Sequence, residues 1–142
     1  MRPFLLYFCA QMRLKRILFI PAIAWFIIAS ILFFLPGEDI PEVSFLDLIY
    51  FDKWVHTGLF AGLVFLSALP FIKAGKCTAK LVIKISILFI LYGVCVEFIQ
   101  KFLDEGRSFD YTDMIADAVG CVIGSVFSKW VARKTAEKNK PL

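Results

Sequence analysis

Two short stretches of the sequence concentrate the side chains that could do chemistry. The first, "DKWVH" at residues 52–56, places an aspartate, a lysine and the chain's only histidine within about one helical turn. The second, "EFIQKFLDEGRSFDYTD" at residues 97–113, adds carboxylates, a glutamine and an arginine. Histidine and carboxylates serve in general acid–base catalysis, in proton relays and as metal ligands. Their concentration in two places suggests a single polar site.

The spacing of these residues predicts that each of three helices carries one polar stripe. Asp52 and His56 are four residues apart, as are Asp113 and Asp117, so each pair shares a helix face. We expect the three stripes to face one another beneath a loop that contains Arg107. The candidate binding residues are Asp52, Lys53, His56, Glu97, Gln100, Arg107, Asp113 and Asp117. The candidate catalytic residues are His56 and Glu97.

Each candidate also has a purely structural interpretation. Asp52 could orient its helix, and Asp113 lies where a helix dipole favours an anion. Glu97 could form a buried pair with Arg107 or His56 that holds helices together. Glu97 lies about 9 Å inward from the end of its predicted helix. A carboxylate at that depth is costly unless it is paired or hydrated, which favours a functional role for it.

The composition predicts an all-α integral membrane protein. Hydrophobic residues make up 60% of the 142 residues, and 16 of them are phenylalanine. Four segments approach the roughly 20 apolar residues that cross a hydrocarbon core of about 30 Å. They are residues 17–35, 54–72, 81–103 and 113–131. We therefore expect one membrane domain over residues 1–142, folded as a four-helix transmembrane bundle.

The basic residues predict the orientation of this bundle. They cluster before the first segment, between the second and third, and after the fourth, at Arg2, Arg13, Lys15, Arg16, Lys73, Lys76, Lys80, Lys84, Lys129, Arg133, Lys134, Lys138 and Lys140. By the positive-inside rule both termini are cytoplasmic, and the polar stripes then lie at the outer face. The basic face is expected to contact anionic lipid rather than nucleic acid. The sequence does not indicate an oligomeric state.

Glycines in the predicted helices suggest sites of close packing. Gly58 and Gly62 form a G-x-x-x-G pattern, and Gly120 and Gly124 form another. Gly93 lies one turn before Glu97. Small residues at this spacing let transmembrane helices approach closely.

In this order the motifs resemble those of the VanZ-like family of small membrane proteins. That family has D-K-x-x-H at the start of one helix, E-x-x-Q late in another, a loop with G-R-S, an aspartate and an asparagine four residues apart, and then spaced glycines. The matching residues are Asp52, Lys53, His56, Glu97, Gln100, Arg107, Ser108, Asp113, Gly120 and Gly124. The resemblance covers residues 52–124. Asp117 departs from it, because the family usually has asparagine there.

The resemblance implies an envelope function in the cytoplasmic membrane of a bacterium. The family takes its name from a protein associated with resistance to the glycopeptide antibiotic teicoplanin. The implied partner is a membrane lipid or a lipid-linked cell-wall precursor, held in an outward-facing pocket without catalysis. An enzyme that acts on a lipid head group is the alternative, and whether the protein is an enzyme stays open.

Two further mechanisms are weaker. A proton or ion conduit is disfavoured because the polar stripes end about halfway along the helices. A metal site formed by Asp52, His56, Glu97 and Asp113 has suitable ligand types, but the spacings match no metal motif. No metal and no other cofactor is therefore predicted.

Overall fold

The computed structural model describes residues 16–35, 50–103 and 110–138, which form four helices. They are α1 (Ile20–Phe33), α2 (Phe51–Lys73), α3 (Ala79–Leu103) and α4 (Tyr111–Lys138). The described chain is all-helical, as the composition predicted.

Three of the four helices are long and apolar enough to cross a membrane. They are α2, α4 and residues Ala79–Phe102 of α3. Helix α1 has 14 residues and rises about 21 Å, less than the roughly 30 Å of a hydrocarbon core. Pro21, in its first turn, has no N–H to bond to the preceding turn, so regular helix begins at Ile20 rather than at Ile17. The fourth crossing stays a prediction.

The four helices run alternately up and down. Phe19, just before α1, makes an edge-to-face contact with Phe71 near the end of α2, whereas Phe33 at the end of α1 contacts His56 near the start of α2. Gly75 has a φ of +66° and closes the end of α2, where the Lys76 N–H donates to the Phe71 carbonyl at 2.8 Å. This is a Schellman turn. Helices α2 and α4 therefore begin, and α1 and α3 end, at one end of the bundle, which we call the polar end.

Helices α2 and α4 run parallel in close contact because α4 presents glycines to α2. A Cβ on Gly124 would lie 2.5 Å from the carbonyl oxygen of Ala61 and 2.9 Å from the Cβ of Val64. A Cβ on Gly120 would collide with the carbonyl oxygen of Thr57. The Thr57 hydroxyl in turn donates to the Ala116 carbonyl at 3.2 Å. Backbone-to-backbone packing of this kind requires glycine at both positions.

Side-chain hydrogen bonds attach α1 to the bundle. The indole N–H of Trp25 donates to the Leu59 carbonyl at 3.0 Å, over Gly62, where a Cβ would overlap the indole ring. The hydroxyls of Ser30 and Tyr92 lie 2.8 Å apart and join α1 to α3. Gly62 thus packs against another helix, as its spacing suggested.

Gly58 does not have the expected packing role. It is exposed, and a Cβ there would meet no atom within 4 Å among the residues that the structure describes. The pattern of Gly58 and Gly62 predicted a shared contact face, but only Gly62 lies against α1.

The glycine contacts predict opposite effects of the same substitution at two sites. Gly124→Ala should destabilise the protein, because the added methyl group would collide with α2 backbone, and Gly124→Leu should do so more strongly. Gly58→Ala should raise stability slightly, since alanine favours the helix by about 1 kcal/mol over glycine. Thermal unfolding in detergent measures both. Equal melting temperatures for Gly124→Leu and the parent would contradict this packing.

Candidate functional site

The buried centre of the polar end is a hydrogen bond between α2 and α4. His56 Nδ1 lies 2.8 Å from Asp117 Oδ1, and the two side chains are 4% and 2% exposed. Phe33 stacks beside the His56 ring at 4.9 Å between ring centroids, and Phe60 lies against Phe33. Because these apolar rings exclude water, the bond is stronger than it would be at a surface.

Lys53 joins the starts of the same two helices. Its ammonium group donates to Asp110 Oδ2 at 2.7 Å and to Asp113 Oδ1, and it lies 3.6 Å from Asp52 Oδ2. Asp113 is buried, whereas the Asp52 side chain is 62% exposed. Lys53 therefore bridges three carboxylates, and this group opens to the surface at Asp52.

Asp110 is a site residue that the sequence analysis missed. Its Oδ1 accepts hydrogen bonds from the backbone N–H of Thr112 at 2.8 Å and from the Thr112 hydroxyl at 2.7 Å, so it caps α4. The hydrogen bond from Lys53, together with those from Thr112, lowers the pKa of Asp110 to about 2. The signal was present in the sequence as "DYTD", an N-cap aspartate with a second acid three residues later.

Glu97 lies between α3 and the start of α4. It is 1% exposed, and its Oε2 accepts a hydrogen bond from the Asp110 backbone N–H at 3.2 Å. Its Oε1 is buried and has no hydrogen-bond partner in the described part of the chain. Neither Lys53 nor His56 bonds to it directly, and Arg107 lies outside the described residues.

The Gln100 side chain has a structural hydrogen bond within the bundle. Its amide donates to the Phe33 carbonyl at 2.7 Å, so it closes the end of α1.

Of the eight candidate binding residues, the structure brings six together: Asp52, Lys53, His56, Glu97, Asp113 and Asp117. With Asp110 they form what we call the polar cluster. Among them, Asp52, His56 and Asp113 offer metal-ligand atoms that lie within 4.8 Å of one another.

Gly93 lets the polar cluster extend to α3. A Cβ at this position would lie 2.5 Å from Asp117 Oδ2 and 3.1 Å from the Phe60 ring. That carboxylate oxygen is buried and has no hydrogen-bond partner among the described side chains and backbone. Gly93 and Glu97 are one helical turn apart, so the two unpartnered carboxylate oxygens belong to side chains on neighbouring helices.

An apolar groove adjoins the polar cluster on the outside of α3 and α4. It has a volume of about 550 Å³. Its lining is formed by Ile90, Val94, Tyr111, Met114, Ile115, Ala118, Val119, Val122 and Ile123. The spacing along either helix does not predict this groove, because its lining residues come from both α3 and α4.

Away from the polar end, the buried polar groups are hydroxyls that bond within the bundle. The Ser86 and Ser125 hydroxyls lie 2.6 Å apart, and Ser128 donates to the Gly124 carbonyl at 2.7 Å. The buried histidine and carboxyl groups of the described chain, His56, Glu97, Asp113 and Asp117, all lie at the polar end. This distribution agrees with the expectation that disfavoured a conduit.

The sequence of the chain matches the model of the VanZ/LLP1 family over residues 4–132. The chain belongs to the VanZ/LLP1 family. The motifs that resemble the family lie within residues 52–124. The family model matches a longer part of the chain, which includes the sequence of α1. Comparisons with curated proteins and with solved structures find no match.

The geometry explains how a VanZ/LLP1 protein could carry asparagine where this one has Asp117. The carbonyl oxygen of an asparagine would accept the bond from His56 Nδ1 just as Asp117 Oδ1 does. Its amide group would take the place of Oδ2 beside Gly93, one turn from the unpartnered Oε1 of Glu97. An amide donates where a carboxylate cannot.

We therefore predict that Asp117→Asn stabilises the protein. The substitution removes a buried acceptor without a donor, and such a group costs about 1–3 kcal/mol. Asp117→Ala should destabilise, because it also removes the bond to His56. Thermal unfolding at pH 7 compares the two variants with the parent, and a lower melting temperature for Asp117→Asn would contradict the assigned contacts.

Proposed function

We propose that this VanZ/LLP1 protein binds a membrane lipid or a lipid-linked cell-wall precursor at the outer face of the bacterial cytoplasmic membrane. The observation that carries the proposal is that the polar cluster and the apolar groove meet at the start of α4. Asp110 and Asp113 belong to the cluster, while Tyr111 and Met114 line the groove. A molecule with a polar head and a hydrocarbon chain matches both surfaces.

The dimensions of the groove support a hydrocarbon ligand. Tyr111 and Ile123, at its two ends along α4, are separated by about 18 Å of helix. Half of a hydrocarbon core is about 15 Å thick, so an extended acyl or prenyl chain that starts at the polar cluster matches this length. The groove volume is within the range of roughly 300–1,000 Å³ found for ligand sites.

The polar cluster favours a head group that donates hydrogen bonds. Lys53 and His56, two of the candidate binding residues, are occupied by Asp110, Asp113 and Asp117. Asp52 and Lys53 form the accessible rim, with side chains that are 62% and 26% exposed. Hydroxyl or amino groups of a sugar or peptide head group would find acceptors at this rim.

The basic residues support the proposed orientation. They are concentrated at the end of the bundle opposite the polar cluster, in and around the α2–α3 connection and the last turns of α4. With that end in the cytoplasm, the positive-inside rule is satisfied and both termini are cytoplasmic. The polar cluster then faces the compartment in which cell-wall precursors are exposed and in which teicoplanin acts.

We predict that filling the groove displaces the lipid ligand. Ala118→Trp places an indole ring in the groove, whereas Val126→Trp places one on the exposed surface of the same helix, outside the groove lining. Lipids that copurify with each protein in mild detergent are quantified by mass spectrometry. A selectively retained species should be depleted severalfold by Ala118→Trp and unchanged by Val126→Trp. Equal retention by both variants would contradict lipid binding in the groove.

A membrane enzyme is the second candidate, and the His56–Asp117 pair favours it. A carboxylate at Nδ1 orients a histidine for general base catalysis at Nε2, as in hydrolase triads. Among the described residues, no serine or cysteine side chain bonds to His56, so water would be the nucleophile. The same mass spectra separate the candidates, since an enzyme would convert its lipid to a product and a binding protein would retain it unchanged.

The charge of Glu97 is expected to matter for function more than for folding. Glu97→Gln keeps an oxygen that can accept the bond from the Asp110 N–H, so membrane abundance should be close to that of the parent. The variant should lose the reduction in teicoplanin susceptibility that the parent is expected to confer on a susceptible host. Glu137→Gln, at an exposed carboxylate on the far end of α4, is the control and should behave like the parent. Full activity of Glu97→Gln at normal abundance would show that this charge has no part in function.

A further inference from the structure

We propose that the polar cluster binds a divalent transition-metal ion, Mn²⁺ or Zn²⁺, through His56 Nε2 and one carboxylate oxygen each from Asp52 and Asp113. One ligand atom from each of these side chains lies within 4.8 Å of the other two. If the three side chains moved slightly closer together, each ligand atom could lie about 2.0–2.2 Å from a central ion, the distance at which nitrogen and oxygen bind these ions. Two ligands come from adjacent turns of α2 and the third from α4, so the ion would join the two helices.

The orientation of His56 points to this ligand. Its Nδ1 lies 2.8 Å from Asp117 Oδ1. An ionised carboxylate only accepts, so a neutral ring in this contact carries its N–H on Nδ1 and its lone pair on Nε2. Within the described chain Nε2 has no hydrogen bond, and its ion-pair contact with Asp52 Oδ1 is long, at 3.9 Å. The side chain as a whole is only 4% exposed, and Nε2 is the ring nitrogen on the side of Asp52. A histidine that binds a metal almost always donates its other ring N–H to a carboxylate in this way.

The charges of the described polar cluster also favour a cation. Five carboxyl groups, those of Asp52, Glu97, Asp110, Asp113 and Asp117, surround one lysine and one histidine. Lys53 binds Asp52 through Oδ2, whereas Asp52 Oδ1 lies on the side of His56; Lys53 also binds Asp113 through Oδ1, which leaves Asp113 Oδ2 as the oxygen for an ion. Lys53 therefore holds both carboxylates in place from the side, and its nearby positive charge should keep the affinity moderate.

The ligand set selects the class of metal. Carboxylates suit Mn²⁺ and imidazole suits Zn²⁺, whereas Mg²⁺ and Ca²⁺ prefer oxygen ligands alone. Three protein ligands leave coordination positions for water or for an oxygen of a bound molecule. Asp52, as the exposed ligand, lies on the entry path. The inference does not depend on the proposed lipid ligand.

The test uses the full-length protein in detergent, stripped of metal with a chelator and then titrated separately with MnCl₂, ZnCl₂ and MgCl₂. Calorimetry measures affinity and stoichiometry, and pulsed electron paramagnetic resonance detects a nitrogen ligand on bound Mn²⁺. We expect one Mn²⁺ or Zn²⁺ per chain, with a ¹⁴N coupling from His56, and no comparable binding of Mg²⁺. Asp52→Asn, at an exposed side chain that should not affect folding, should weaken binding at least about tenfold. Glu137→Gln is the control and should bind like the parent.

Three results would overturn the proposal. They are the absence of stoichiometric binding of either transition metal, unchanged affinity in Asp52→Asn, and bound Mn²⁺ without nitrogen coupling. Thermal unfolding of metal-free Asp52→Asn excludes misfolding as the cause of weaker binding. A metal-dependent rise in melting temperature that is present in the parent and in Glu137→Gln but lost in Asp52→Asn would support the proposal independently of affinity.

Discussion

The close parallel approach of α2 and α4 is the constraint on which the polar end depends. Gly120 and Gly124 bring the α4 backbone against the backbone of α2 at Thr57 and Ala61, and this contact aligns the first turns of both helices. His56 then meets Asp117, and Lys53 reaches the carboxylates at the start of α4. A side chain at either glycine would collide with the α2 backbone and push the two helices apart.

Burial of carboxyl groups at this depth carries a free-energy cost that the fold offsets only in part. Lys53 and the Thr112 donors satisfy Asp110, whereas Glu97 and Asp117 each retain one oxygen without a partner in the described structure. Polar groups left unsatisfied inside a bundle are costly and are commonly retained for function. The polar end therefore contains more carboxylate oxygens than hydrogen-bond donors among the described residues. It differs in this respect from a group of fully paired charges that only stabilises the helix ends.

Helical spacing predicted most of the candidate site, because four-residue spacing places side chains on one face whatever the helix later contacts. Asp52 with His56 and Asp113 with Asp117 were identified in this way, and both pairs lie in the polar cluster. Gln100 shows the limit of this reasoning. It lies on the predicted polar face of α3, but its amide bonds to the end of α1. Gly58 shows the same limit, because a G-x-x-x-G pattern does not specify which glycine meets a neighbour. Asp110 was overlooked although its capping signal was present in the sequence.

The sequence by itself determined the class of the protein, the family and the set of polar residues, because apolar length and motif order are properties of the chain alone. Only the tertiary structure decided which partners those residues have: His56 with Asp117, Lys53 with Asp110 and Asp113, and Glu97 with a backbone N–H. It also decided that an apolar groove lies beside the cluster. These features depend on distances between helices, which are set by packing and which no spacing along one helix can encode.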